Sequence, residues 1–252
     1  MMNPPISRMG GKSKLRKNII KMIPGDHICY VEVFLGAGWV YFGKEPSKVE
    51  VINDTDQELI NLFKMLKYHG EEVERLLSYE VVSRDNFYDY RDQDFSKLTE
   101  VQRAVRFMYL SAQSFASRGI SFGYSALGKP SPKLFKTNCL IEIKKRLSNT
   151  YIENLDCFKI IEKYDRSTTF FFCDPPYIET EGYKDKFGTE EHIRLYESLK
   201  SIKGKFLITL NDNEFVRDLY REFSIEEVDV TYSVSRDKAA RKSYGELIIK
   251  NY

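Results

Sequence analysis

Two kinds of apolar spacing divide this chain. Leu15, Ile19, Ile20 and Ile23 recur at helical intervals and stop at Pro24-Gly25, which predicts a short amphipathic helix. "ICYVEVFLGAG" is apolar without alternation and runs into glycines, the pattern of a buried strand entering a turn, and "WVYFGK" opens the next helix. "SKVEVIND" is a second strand with an acid at its tip, followed by the helix "QELINLFKMLKYHG". Strand, helix and strand in close succession predict the βαβ unit of a parallel sheet. From residue 70 to residue 147 that rhythm lapses into helical or irregular pattern. Thr99 and Gln102 are spaced as a capping box ahead of "EVQRAVRFMYLSAQSF", and the glycine- and serine-rich "ASRGISFGYSALGKPSP" follows. The β/α alternation resumes with "TYIENLD", a helix, "STTFFFCDPPY", a helix opening at Thr189, "GKFLITLND", another helix, and the closing strands "SIEEVDVTYSV" and "SYGELIIKNY". The fold class read from this is α/β, with one sheet domain interrupted by a mainly helical lobe of roughly 80 residues, a fair size for an inserted domain.

Composition narrows the picture. At 252 residues the chain is long enough for one core domain with an insert, and no stretch approaches 18 consecutive apolar residues, so no membrane span is expected. The N-terminus lacks the apolar region of a secretory signal. Cys29, Cys139, Cys157 and Cys173 are scattered without a paired spacing, and the three histidines are isolated. Reduced thiols, a cytoplasmic address and no metal site are therefore expected. Net charge is only +2, but its distribution is uneven. Arg8, Lys12, Lys14, Arg16, Lys17 and Lys21 occur without an acid in residues 1–21, residues 129–146 are also basic, and residues 71–100 are acidic. Basic patches flanking an acidic lobe suit a nucleic-acid footprint as well as an ordinary solvated surface.

Three stretches carry chemistry. Gly36 and Gly38 follow the first strand, where glycine lets a ligand approach the backbone or simply permits a tight turn. Asp54 ends the second strand, placed to accept from both hydroxyls of a ribose, or, like Thr55, to cap the next helix. In "DPPY", Pro175 and Pro176 fix two φ angles and remove two backbone donors. The turn then presents the Asp174 carboxylate and a carbonyl as paired acceptors beside the Tyr177 ring, an arrangement suited to an exocyclic amine on a planar base.

With these residues in view, the chain resembles the Dam-type (alpha-group) S-adenosylmethionine-dependent DNA adenine-N6 methyltransferases along nearly its whole length. "RMGGKSKL" is similar to the family's first cofactor motif, "VEVFLGAG" to its FxGxG motif, "NLDCF" to the segment before the catalytic motif, "DPPY" to that motif, and "GELIIKNY" to the usual ending. The resemblance implies a Rossmann-like methyltransferase sheet formed by residues 1–58 and 147–252, with a target-recognition domain at 59–146. It implies S-adenosyl-L-methionine as methyl donor, with Lys12, Phe34, Asp54, Phe158 and Asp174 as contacts and Gly10, Gly11, Gly36 and Gly38 as the cradle. Arg8 lies in the same motif where many relatives have tryptophan. Asp174, Pro175 and Tyr177 would be catalytic. Ser117, Arg118, Tyr124 and Lys129 are candidate DNA contacts, and the closing loop adds Arg236, Lys238, Arg241 and Lys242. The asparagine-rich segment of many GATC-methylating members is absent from "SAQSFASRGISFGYS", so GATC specificity is not implied.

The expected partner is double-stranded DNA, acted on by a monomer in a bacterial, archaeal or phage-infected cell, with or without a cognate restriction enzyme. The expected chemistry is methylation of a flipped-out adenine, with Tyr177 acting through its ring face, so that Tyr177→Phe should remain active. The alternatives are the same transfer to another amine (cytosine-N4, an RNA base or a protein glutamine) and a non-catalytic DNA-binding relative.

Overall fold

The computed structural model describes residues 1–8, 10–124, 140–178, 187–231 and 243–252. In chain order the helices and strands are α1 (Arg16–Met22), β1 (Cys29–Glu32), α2 (Trp39–Gly43), β2 (Val49–Asn53), α3 (Gln57–Leu77), α4 (Arg84–Asp92), α5 (Glu100–Gln113), α6 (Leu140–Leu147), β3 (Thr150–Glu153), α7 (Cys157–Tyr164), β4 (Thr169–Cys173), α8 (Thr189–Lys200), β5 (Lys205–Asn211), α9 (Glu214–Leu219), β6 (Ser224–Thr231) and β7 (Ser243–Lys250).

Seven strands form a sheet in the order β3-β2-β1-β4-β5-β7-β6. β1 pairs in parallel with β2 and β4, β4 pairs in parallel with β5, and β7 runs antiparallel to β5 and β6. This is the α/β, mostly parallel sheet that the apolar pattern predicts. The chain moves from β1 outward to β2 on one side and returns on the other at β4, which makes the β1–β4 pair a topological switch point. Phe34 lies just beyond the carboxyl end of β1, and Asp174 just beyond that of β4.

The described residues fall into two compact units. One comprises Lys14–Leu35, Pro46–Thr55 and Leu155–Tyr252. Its central strand β4 is buried at all five positions. Side chains alternate between sheet faces, and both faces here are covered. Phe171 and Cys173 join Val31, Ile160, Leu195, Phe206 and Ile208 in one core, while Phe170 packs beside Tyr30 and Tyr252. The unbroken aromatic run thus fills two cores and leaves the strand little freedom to shift, which fixes where Asp174 emerges.

The other unit comprises Met1–Ser13, Gly36–Glu45 and Asp56–Asn154. Its longest helix, α3, is capped by Asp56, whose carboxylate accepts from the backbone N–H groups of Glu58 (3.1 Å) and Leu59 (3.2 Å). The helix continues past Gly70, where the sequence pattern lapses, by kinking at His69 (φ −130°, ψ 28°). α5 begins with the expected capping box: Gln102 N–H donates to Thr99 Oγ1 at 3.3 Å, and Thr99 N–H to Gln102 Oε1 at 3.0 Å. α3 packs against α5 and α6, and Arg103 of α5 pairs with Glu58 of α3. Cys29, Cys157 and Cys173 are free thiols, while Cys139 lies outside the described residues. Among the described residues, no helix is long and apolar enough to cross a membrane, and no cluster of side chains suits a metal ion.

Candidate active site

In the sheet-bearing unit, the carboxyl ends of β1 and β2 are joined by one buried side chain. Asn53 Nδ2 donates to the carbonyls of Val33 and Leu155, both at 3.0 Å, and its Oδ1 accepts from Leu155 N–H at 2.8 Å. The Leu35 N–H adds a bond to Asn53 O at 2.8 Å. These bonds tie the segment after β1, the tip of β2 and the entry to α7 together. Phe34, Asp54 and Phe158 follow or precede these tied residues closely and are each half-buried. Asp54 is not the cap of α3, and neither is Thr55, because Asp56 has that role. The helix-cap alternative for Asp54 is thereby removed. Phe158 starts α7 beneath the Asp156 cap (2.9 Å), and the Arg194 guanidinium lies 3.9 Å over its ring.

The DPPY turn follows β4 and is held by hydrogen bonds from two other elements. Thr209 of β5 donates its hydroxyl to an Asp174 carboxylate oxygen at 2.8 Å. His192 of α8 bonds the Pro176 carbonyl at 3.0 Å. The Glu246 carboxylate of β7, nearly fully buried, lies close enough for its charge to act on Tyr177. Burial, then the negative charges of Asp174 and Glu246, hold the Tyr177 pKa well above its ordinary value. Tyr177 therefore stays a phenol, with a proton to donate. Glu246 is in register with Asn211, at the carboxyl end of β5, so the β5–β7 pairing brings Thr209, Asn211 and Glu246 to one end of the sheet.

In the other unit, Arg8 pairs with Asp56 at 3.0 Å, and Lys12 is buried with its Nζ 3.5 Å from Gly10 O. Gly11 has no room for a side chain: a Cβ there would lie 2.7 Å from Trp39 Nε1 and 3.2 Å from Arg8 O. Gly36 differs, with φ of +51° and open space where a Cβ would point, so the backbone favours glycine and a ligand has room. Gly10 and Gly38 also have positive φ, and Gly38 precedes α2.

The candidate DNA contacts Ser117, Arg118 and Tyr124 belong to a short reversal after α5. Its ends pair at Ser114 and Phe122, Phe115 N–H donates to Ser121 O at 2.9 Å, and Ser117 has a left-handed φ of 57°. Arg118 and Tyr124 are exposed, and the Arg84 guanidinium lies 5.1 Å from both the Phe122 and Tyr124 rings. Lys129 and the basic residues Arg236, Lys238, Arg241 and Lys242 lie outside the described residues.

Residues 9–234 match the family model for D12 class N6 adenine-specific DNA methyltransferases. The chain belongs to this family. It is 28% identical to the Type II methyltransferase M1.LlaDCHI of Lactococcus lactis subsp. cremoris, over 96% of this chain and 93% of that protein. It is 27% identical to the Type II methyltransferase M.CviBI of Paramecium bursaria Chlorella virus NC1A, over the full length of both. It is 26% identical to a DNA adenine methylase of Haemophilus influenzae, over 97% of this chain and 92% of that protein.

For an adenine methyltransferase, four residues at the sheet end escape sequence reading. Asn53 sits beside the more conspicuous Asp54, and Thr209 is the lone hydroxyl in "FLITL". His192 and Glu246 look like ordinary polar positions in a helix and a closing strand. Each departs from its surroundings only in being a polar residue on a buried position.

Proposed function

We propose that this methyltransferase moves the methyl group of S-adenosylmethionine to the 6-amino group of an adenine swung out of duplex DNA. The observation that carries the proposal is the Asp174 carboxylate at the switch point, aimed by Thr209 and flanked by the Tyr177 ring. Two features, one in each unit, fit the donor. Gly36 leaves open space at a backbone position that glycine adopts most readily, and the tip of β2 offers Asp54, which does not cap α3. Asp54 is read as the ribose acceptor and Phe34 and Phe158 as apolar contacts. Lys12 and the glycines at 10, 11, 36 and 38 are carried as further contacts.

S-adenosylmethionine supplies an electrophilic methyl on sulfur. The chain's own task is the amine, whose lone pair is delocalised into the adenine ring. In this reading the Asp174 carboxylate and the Pro175 carbonyl each accept one amine hydrogen, which localises the lone pair. The carboxylate then stabilises positive charge as it develops on nitrogen, an electrostatic effect that needs no covalent intermediate. Unstacking the target costs a few kcal/mol. A stack on Tyr177, worth about 1–3 kcal/mol, offsets that cost.

The direct experiment transfers labelled methyl groups to duplex DNA, RNA and protein and then separates the nucleosides. 6-Methyladenine in duplex DNA is expected; label in 4-methylcytosine, RNA or protein instead would defeat the proposal. The donor site has its own test. Asp54→Ala should weaken S-adenosylmethionine binding by roughly 1.5–3 kcal/mol, the range for hydrogen bonds to a charged group. Calorimetry on the folded variant decides it, and an unchanged affinity removes Asp54 from the site.

For DNA, the exposed reversal that carries Arg118 is read as a recognition element. Arg118→Ala should reduce discrimination between sites by about 1–3 kcal/mol if the guanidinium reads a base edge. A uniform loss over all sequences with a shallower salt slope assigns it to phosphate instead. Binding titrations at several salt concentrations separate these outcomes, and no change in either quantity takes Arg118 out of the interface.

A further inference from the structure

His192 is fully buried near the start of α8, whose first N–H groups are met in part by Glu191 bonding back to Gly188 N–H at 2.8 Å. Its Nε2 lies 3.0 Å from the Pro176 carbonyl oxygen. A carbonyl can only accept, so Nε2 carries the proton and Nδ1 is left as the acceptor of a neutral ring. Nδ1 is buried without a hydrogen-bond partner. Burial lowers the ring's pKa, which keeps it in that neutral form. The Phe187 ring meets it edge-on, with centroids 4.9 Å apart and planes at 89°, and Phe187 in turn meets Phe34 edge-on at 5.6 Å. A buried imidazole with an orphan nitrogen is costly compared with an apolar side chain of similar size. What the ring provides in return is a single directed bond to the DPPY turn.

That bond has a chemical consequence. Pro175 and Pro176 have no N–H, so the turn cannot fasten itself through its own backbone donors. It contains two successive proline carbonyls, either of which is a strong acceptor for an amine hydrogen. We infer that His192 is a positioning residue for methyl transfer: its Nε2–H occupies the Pro176 carbonyl, locks the turn, and leaves the Pro175 carbonyl to act with the Asp174 carboxylate. The inference rests on the reading of Asp174 given above. It adds the device that selects which carbonyl shares the amine, and it gives a buried histidine that is itself none of the assigned donor or DNA contacts a part in the rate.

The substitutions that isolate this role differ in where they place a donor. The amide nitrogen of glutamine reaches the place of Nε2, whereas that of asparagine stops near Nδ1. Single-turnover methylation at saturating donor and DNA should fall about 10–100-fold in His192→Asn, the scale of a misplaced reacting group. His192→Gln should restore most of the rate. Donor and DNA affinities, measured on the same proteins, should stay close to wild type in both. If His192→Asn does not fold, His192→Met provides a donor-less side chain of suitable length for the same comparison.

Equal rates in the glutamine and donor-less variants overturn the inference, as does a rate loss matched by lost donor or DNA affinity. Asp174→Ala is measured in parallel. If it is slow while the donor-less His192 variant is fast, the positioning role fails and the reading of Asp174 stands. If Asp174→Ala is itself as fast as wild type, the reading of the site fails and the His192 inference falls with it.

Discussion

Asp174→Ala should reduce methyl transfer at least ~100-fold, the loss seen when one well-aimed charge-stabilising group is removed from an active site. The side chain sits at the end of a fully buried strand and has one oxygen fixed by the Thr209 hydroxyl. Its aim is set before any substrate arrives, and alanine leaves an amine hydrogen without an acceptor. Asp174→Asn keeps the shape, and its amide oxygen can still accept, so its rate should fall between wild type and alanine. Stability should fall only modestly, because the residue is half-buried and the bond lost from Thr209, one made to a charged group, is worth about 1.5–3 kcal/mol. DNA binding should fall far less than the rate, since the carboxylate meets no phosphate in this mechanism. Single-turnover methylation beside a binding assay separates these quantities. Wild-type transfer by a folded Asp174→Ala protein would end the mechanism proposed here.

Tyr177 should show the second large effect, and here the structure changes what the sequence leads one to expect. If the ring face alone mattered, Tyr177→Phe would be silent. The hydroxyl, however, lies within reach of the charge of the buried Glu246 carboxylate on β7. Phenylalanine removes a polar group from beside a carboxylate that has little water to replace it, costing about 1–3 kcal/mol. At about 2–4 °C per kcal/mol for a chain of this size, that is a readily measured fall in melting temperature. The ring also loses that attraction at its outer end, so methyl transfer should slow. Tyr177→Ala should lose the stack on the flipped base as well, a further ~1–3 kcal/mol seen as weakened binding of the extruded target. Adding Glu246→Gln to Tyr177→Phe should recover stability, because a neutral amide is far less costly than a carboxylate short of a donor. A Tyr177→Phe protein with unchanged melting temperature and rate would show that the Glu246 charge has no bearing on Tyr177.

The sequence alone determined the features that repeat or act locally. The unalternating apolar run marked β1 as a buried strand, because a strand covered on both faces cannot expose polar residues at every second place. The Thr99–Gln102 box marked the start of α5, since both its bonds close within four residues. Membership of the adenine methyltransferase family was equally legible, because the resemblance rests on short contiguous stretches of sequence. Tertiary structure decided the rest. Asp54, Thr55 and Asp56 all suit a helix cap by type, and only the backbone path into α3 assigned the cap to Asp56 and took it from Asp54. Thr209 lies 35 residues from Asp174, and Asn53 lies 102 from Leu155. No periodicity connects such pairs. They meet because parallel β4–β5 and antiparallel β5–β7 pairing in one register brings Asp174, Thr209 and Glu246 to the same end of the sheet, and a shift of a single residue would turn those side chains to its other face.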